Sequence, residues 1–278
     1  MKGLIVTADD YGAAREVNDA VEEAHARGIL TATSLMVAAP AAADAVARAK
    51  AMPRLRVGLH IVLVEGQPML PPSAVPDLVD GTGHFRTDMA RAGAAMFFRP
   101  RVRRQLAEEI AAQFDAFRAT GLRLDHVNTH KHFHLHPTVA STILKIGKRQ
   151  GMRAMRVPLE PRRVLAAAEP GAAPARATVT GPWARWLRHR LTAAGLLTPD
   201  RVFGLAWSGA MTTARLKGLI AHLPDGLSEI YLHPATAGGF EGAAPGYRYA
   251  EELAALTDPA VAATARDPAI RLGGFVDF

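Results

Sequence analysis

The sequence of 278 residues contains no cysteine and has few aromatic residues. The absence of cysteine excludes disulfide bonds, thiolate metal sites and a cysteine nucleophile. No apolar stretch reaches the roughly 18 residues that a transmembrane helix needs, so we expect no membrane-spanning segment. The apolar run near the N-terminus, GLIV, is too short for the hydrophobic part of a signal peptide. We therefore expect a cytoplasmic protein.

Acidic residues are fewer than basic ones, since 26 Asp and Glu stand against 33 Lys and Arg, for a net charge of +7. This charge suits an anionic partner such as nucleic acid, phosphate or a membrane surface, but an arginine-rich background composition explains it equally well. Aromatic residues make up only 6% of the chain, and no motif for binding RNA or DNA occurs. We expect no nucleic-acid partner. The non-catalytic alternative is a basic nucleic-acid-binding protein with a structural metal.

Short apolar runs alternate with longer amphipathic segments along the chain. The predicted strands are KGLIVTA, ATSLMVA, LRVGLHIVL, LRLDHVNTH, MRAMRVP, RVFGLAW and EIYLHPA, and the predicted helices cover 13–27, 41–51, 101–119, 137–150 and 212–222. Such alternation predicts an α/β fold with a parallel sheet and helical crossovers. With no linker or repeat, we expect one domain over residues 1–278, a closed or nearly closed (β/α) barrel with irregular loops at 64–100 and 158–200.

Aspartate and histidine collect at the ends of predicted strands. Asp9 and Asp10 follow the first strand, and His60 and His233 lie late in two others. In the stretch DHVNTHKHFHLHP, every even position carries Asn128 or one of the histidines His126, His130, His132, His134 and His136. Parallel strands open their C-terminal ends on one face, so we expect these residues to meet at one site. Carboxylate and imidazole without thiolate predict a catalytic divalent metal site.

Each of these residues also has an ordinary structural interpretation. If the histidine-rich stretch is extended, all six even positions share one face. If the chain turns at the strand end, two or three of them converge and the rest have supporting roles. Asp10 could cap the following helix, and either His60 or His233 alone could be a hydrogen-bonded scaffold residue. The remaining four histidines lack such a context and are expected in the surface or core: His25, His84, His189 and His222.

Four stretches together resemble the YdjC-like carbohydrate deacetylases, which include the chitooligosaccharide deacetylase. They are TADDYG, VGLHIVL, NTHKHFHLHP and EIYLHPA, in the order and at about the spacing of that family. The phrase DHVNTHKHFHLHP is most similar to the branch associated with hopanoid biosynthesis. One difference is that many relatives have Asp where this chain has Asn128, so an amide replaces an acid near the metal.

The resemblance implies a distorted, TIM-like (β/α) barrel that hydrolyses an N-acetyl group on an amino sugar. By position, the implied ligands of one divalent metal ion are Asp10, His60 and His130. Asp9 would be the general base, and His233 a candidate general acid. The metal would be Mg²⁺ or Zn²⁺, although this ligand set also accepts manganese or nickel.

The resemblance also implies a substrate, N-acetylglucosamine linked to a hopanoid lipid. A deacetylase of soluble chitooligosaccharides, a metal-dependent phosphoesterase and a barrel sugar isomerase remain open, as does a homodimer. Arginines near Trp183 and Trp186, and those in RPRVRRQ, predict contact with an anionic membrane surface such as the inner face of the cell membrane. The alternative is that the two tryptophans form the core face of a helix. The arginines concerned are Arg99, Arg101, Arg103, Arg104, Arg185, Arg188 and Arg190.

Overall fold

A computed structural model describes residues 1–171 and 177–278, with the side chains of 177–180 left out. The strands are β1 (Lys2–Tyr11), β2 (Ala32–Leu35), β3 (Arg56–Ile61), β4 (Leu124–Thr129), β5 (Arg201–Phe203), β6 (Gly226–Leu232) and β7 (Ile270–Leu272). They form one parallel sheet in the order β4-β3-β2-β1-β6-β5, and β7 pairs with the beginning of β1. The sheet has the parallel strands that the alternating pattern predicts.

Helices connect the strands and cover the sheet. They are α1 (Arg15–Arg27), α2 (Ala42–Ala51), α3 (Met89–Phe98), α4 (Pro100–Ala119), α5 (Pro137–Arg149), α6 (Arg162–Ala168), α7 (Ala177–Ala193), α8 (Thr213–Ala221), α9 (Tyr249–Thr257) and α10 (Pro259–Ala265). In α1 the buried residues Val17, Ala20, Val21 and Ala24 recur at the spacing of one helix face. Among the described helices, none has the length and hydrophobicity that crossing a membrane would need.

The curled sheet is nearly closed by the segment 153–159, which lies between β4 and β5. On one side, Val127 of β4 donates its backbone N–H to Ala154 (3.1 Å) and accepts one from Arg156 (3.1 Å). On the other side, Val202 of β5 donates to the backbone oxygen of Leu159 (2.9 Å). The result is a distorted, TIM-like barrel, as expected. The predicted strand MRAMRVP is wrong as a regular strand, because only isolated bridges pair it, but it occupies a strand's place in the wall.

The two segments predicted to be irregular are partly helical. Helix α3 lies within 64–100, and α6 and α7 lie within 158–200, of which residues 172–176 are outside the described part of the chain. Their sequences are rich in alanine and glycine or interrupted by proline, and this obscured the helical pattern. Both segments connect to strand ends, so they lie where a barrel carries its substrate loops.

Candidate active site

Three side chains from three strand ends converge in the manner of metal ligands. Oδ1 of Asp10 lies 3.1 Å from Nε2 of His60 and 3.1 Å from Nδ1 of His130. The two imidazole nitrogens are 3.4 Å apart. One carboxylate oxygen and two ring nitrogens suit a divalent ion and leave coordination positions for water or substrate. This Asp/His/His group is consistent with one metal site.

A break in the regularity of β1 explains how two adjacent acids line the same cleft. In a regular strand, Asp9 and Asp10 would point to opposite faces. The register with β2 shifts between Ala8 and Tyr11, and Asp10 has a left-handed backbone with φ of 64°. The irregularity redirects the side chains, as β-bulges commonly do. Asp10 does not cap α1, whose N-cap is Ala14 without a side-chain hydrogen bond.

Asn128 holds His60 with its Nε2 toward Asp10 and His130. Nδ1 of His60 donates to Oδ1 of Asn128 (2.7 Å), so Nε2 is the nitrogen that faces Asp10. The Asn128 amide in turn donates to Oδ1 of Asp9 (3.0 Å). A carboxylate at this position would lie against the Asp9 carboxylate and repel it. The amide of Asn128 therefore fits this network better than an acid would.

We expect Asn128→Leu to lower metal affinity about 10- to 100-fold, the usual cost of losing a group that orients a ligand. The reason is that Nδ1 of His60 would lose the acceptor that fixes its ring. Competition with a fluorescent chelator measures the affinity. The control is Gln105→Leu, because Gln105 is also a buried amide but bonds to Asp77, away from the cleft. That variant should lose stability and keep its affinity. Equal affinities for Asn128→Leu and wild type would contradict the assignment.

Asp9 lines the same cleft as the three ligand candidates and is tied to a buried arginine. Arg156 is fully buried and donates through Nη1 and Nη2 to the two oxygens of Asp9. It also donates to Oε1 of Glu229 from Nη2 (2.7 Å) and Nε (3.0 Å). Burial by itself raises the pKa of Asp9, but the charge and hydrogen bonds of Arg156 outweigh burial and hold this pKa well below its usual range. Asp9 is therefore ionised at neutral pH.

The sequence analysis missed Arg156 and Glu229. Glu229 is fully buried on β6, where Thr7 also donates to its Oε1 (2.8 Å). Arg156 was missed because the sequence contains many arginines and nothing distinguishes this one by residue type. The available signal was its place inside the predicted apolar strand MRAMRVP, where a charged side chain needs a buried partner.

The histidine-rich stretch turns rather than continuing as a strand. β4 ends at Thr129, and His130–Leu135 form a 3₁₀ turn that is kinked by left-handed residues at Lys131 and His132. The interpretation with all six positions on one extended face is therefore wrong, and the alternative of a turn is confirmed. Asp9, His60, His130 and His132 line one cleft, and Asn128 bonds to both Asp9 and His60.

The other histidines of the stretch have structural partners. Nδ1 of His126 bonds to Asp125 (2.9 Å), and its ring stacks on Phe275. Nε2 of His132 lies 2.9 Å from the Tyr231 hydroxyl, and Nδ1 of His134 lies 2.7 Å from the Thr129 hydroxyl. Burial and the Arg156 charge lower the pKa of His132 well below its usual range and that of His134 to about 3. Both rings are therefore neutral at pH 7.

His233 lines the same cleft as the Asp/His/His group. The cleft has a volume of about 810 Å³. Its ring packs edge-on against Tyr231 at 5.6 Å and lies 5.1 Å from the ring of Tyr247. The buried Glu252 accepts the backbone N–H of His233 and fixes the chain there. His84, which showed no functional context in the sequence, is an exposed residue at the edge of this cleft.

Backbone strain concentrates at the cleft. Among the described residues, four that are not glycine have a positive φ: Asp10 at 64°, Glu65 at 50°, Lys131 at 53° and His132 at 53°. All four line the cleft. Lys131 and Glu65 also form an ion pair at 2.5 Å. Left-handed conformations are costly for such residues and cluster at functional sites.

Fold and site together define a parallel α/β barrel with an Asp/His/His group at its strand ends. The profile of the YdjC-like protein family matches residues 3–267, so the chain belongs to the YdjC-like family. A carbohydrate deacetylase from Geobacillus stearothermophilus is 31% identical over 278 residues, which cover 99% of this chain and 97% of that protein. Another from Thermoanaerobacter pseudethanolicus is 26% identical over 84% of this chain and 82% of that protein.

A solved structure has the same fold. The crystal structure of a proposed cellobiose-phosphate cleavage protein from Enterococcus faecalis V583 is similar with a TM-score of 0.76 and 23% sequence identity. The similarity covers 99% of this chain and 98% of that one. At 23% sequence identity, this similarity supports the assignment of the fold alone.

Proposed function

We propose that this protein is a metal-dependent N-deacetylase that removes acetyl groups from an N-acetylated amino sugar. The observation that carries the proposal is the convergence of Asp10, His60 and His130 beside Asp9 and His233 in one cleft. Membership of a family whose relatives are carbohydrate deacetylases supports the same reaction. The sequence-based roles of these residues fit the geometry and remain part of the proposal.

Amide hydrolysis needs an activated water, a stabilised oxyanion and an acid for the departing nitrogen. Asp10, His60 and His130 would hold a divalent ion, which would supply Lewis acidity toward water and the acetyl carbonyl. Asp9 is the proposed general base. Oδ1 of Asp9 accepts three hydrogen bonds from described residues, but Oδ2 accepts only one, from Arg156. Oδ2 therefore keeps a lone pair with which to accept the proton of water.

His233 is the proposed general acid for the leaving amine. It directly follows β6, whereas Asp9 lies on β1, and both side chains line the cleft. A base and an acid on different strands can lie on either side of a bound acetamido group. Protonation by His233 would convert the poor amide leaving group into an amine.

The cleft has the size and lining for a sugar unit. Its volume of about 810 Å³ lies within the range of small-molecule sites. Phe240, Tyr247 and Tyr249 line it and offer flat apolar surfaces to a sugar ring. On the resemblance of DHVNTHKHFHLHP to the hopanoid-associated branch, we propose N-acetylglucosamine linked to a hopanoid as the substrate. Soluble chitooligosaccharides are the second candidate.

Acetate release tests both the reaction and the substrate. We expect metal-loaded wild type to release acetate from an N-acetylglucosamine-bearing hopanoid and, more slowly, from diacetylchitobiose. Asp9→Asn should lower the rate roughly 10²- to 10⁴-fold because it removes the proton acceptor. An enzymatic acetate assay gives the rates.

The control is Asp19→Asn, which makes the same change at an exposed helical position and should have wild-type activity. Faster release from chitobiose would reassign the substrate. No acetate from either compound, with turnover of an aryl phosphate, would replace the deacetylase by a phosphoesterase.

A further inference from the structure

An apolar stripe of α3 faces solvent. Ala90, Ala94, Phe97 and Phe98 are exposed and recur at the spacing of one helix face. Phe98 is 75% exposed and Phe97 is 48% exposed. The outward face of a surface helix is normally polar, so this stripe points to an apolar environment outside the chain.

Arginines follow the stripe directly. Arg99, Arg101, Arg103 and Arg104 are all exposed at the start of α4. We name these four residues, with Phe97 and Phe98, the Phe-Arg patch. Segment 89–107 holds five arginines and no acidic residue. In the described part of the chain only Arg101 among the four forms an ion pair, with Asp77 at 2.9 Å.

The position of these arginines works against helix stability. The first turn of a helix carries a partial positive charge, which favours acids and disfavours cations. The first turn of α4 has no acidic residue, and its N-cap, Arg99, makes no side-chain capping bond. Apart from the Arg101–Asp77 ion pair, no ion pair in the described part of the chain uses this positive charge, which indicates an external anionic partner.

The patch lies on the face of the barrel where the cleft opens. α4 is the crossover from β3 to β4, so it starts at the C-terminal ends of the strands. The ring of Phe97 packs edge-on against His136, just after the histidine-rich turn, at 6.2 Å. Thr87, two residues before α3, lines the cleft.

We infer that the Phe-Arg patch docks this protein on an anionic lipid bilayer, with the cleft turned toward the membrane surface. Lipid phosphates complement the arginines, and the interfacial region accepts the phenylalanines and the exposed alanines of α3. A nucleic acid would match the charge but would leave the apolar stripe of α3 in water. The inference concerns binding and does not depend on the proposed reaction.

The other segment predicted to contact a membrane differs in structure. On α7, Trp186 is partly buried against the core, and Arg188 pairs with Asp200. Trp183 is 52% exposed. The two tryptophans therefore do not share one core face, and we assign the docking to the Phe-Arg patch.

Vesicle flotation of the full chain tests the inference. We expect the protein to bind vesicles of phosphatidylcholine with about 30% anionic phosphatidylglycerol. High salt should abolish this binding, because it screens the attraction between arginines and lipid phosphates. Arg103→Glu/Arg104→Glu should weaken binding about tenfold or more. Phe98→Ser should weaken it about tenfold, because one exposed apolar side chain is removed.

The matched control is Arg54→Glu/Arg123→Glu. These exposed arginines precede β3 and β4 and lie at the opposite end of the barrel. This variant has the same net charge as the patch variant and should bind as wild type does. Failure of wild type to float with anionic vesicles at low salt would overturn the inference. So would equal losses in the two double variants, or binding to duplex DNA by a protein that ignores the vesicles.

Discussion

Replacing Asp10 with asparagine is expected to remove the bound metal and to lower kcat/KM for acetate release roughly 10³-fold or more. Asp10 is the sole carboxylate of the Asp/His/His group, and its Oδ1 lies 3.1 Å from both ring nitrogens. An amide of the same shape lacks the negative charge that attracts a divalent ion. Metal content after dialysis, measured by elemental analysis, and acetate release should fall together.

The matched control for this substitution is Asp88→Asn. Asp88 caps α3 through its side chain and is exposed, and asparagine caps a helix as well as aspartate does. This variant should keep metal content, activity and stability. Full metal content in Asp10→Asn would show that the ion binds elsewhere. Loss of metal without loss of activity would show that acetate release does not need a metal at the Asp/His/His group.

The largest expected effect on stability is that of Arg156→Met, which should lower the free energy of unfolding by about 3–5 kcal/mol. Arg156 lies between the buried carboxylates of Asp9 and Glu229 and is their common counter-ion. Methionine matches much of its volume but leaves both acids without a cationic partner. Denaturant titration measures the change.

The control for Arg156→Met is Arg153→Met, at an exposed position three residues earlier in the same segment. It should change the free energy of unfolding by less than about 0.5 kcal/mol. Similar losses in the two variants would mean that the segment, rather than the buried ion network, determines the effect. A stable Arg156→Met protein would show that the two acids are neutral when unpaired.

The convergence of Asp10, His60 and His130 could be predicted because it depends on local pattern and on one rule of topology. Each residue ends an apolar run, and parallel strands bring such ends together. Neither step requires knowledge of side-chain packing. The same reasoning placed His233 at the cleft, and the structure has it there.

Features that depend on long-range packing could not be predicted. The irregularity at Asp9 and Asp10 is a shift in the register with β2, which no local pattern encodes. Arg156 meets Asp9 from 147 positions along the chain. Helix α3 was missed because its apolar residues face outward as well as inward, which blurs the amphipathic pattern used to recognise helices.

The four left-handed residues around the cleft bear on how this protein could be engineered. Glycine at Lys131 or Glu65 would relieve backbone strain of roughly 1 kcal/mol per position. A screen that rewards heat resistance alone would therefore select substitutions at the edge of this cleft. The same substitutions would remove the Lys131–Glu65 ion pair and loosen the turn that carries His130. We therefore expect thermostable variants obtained in this way to have a lower kcat than the wild type.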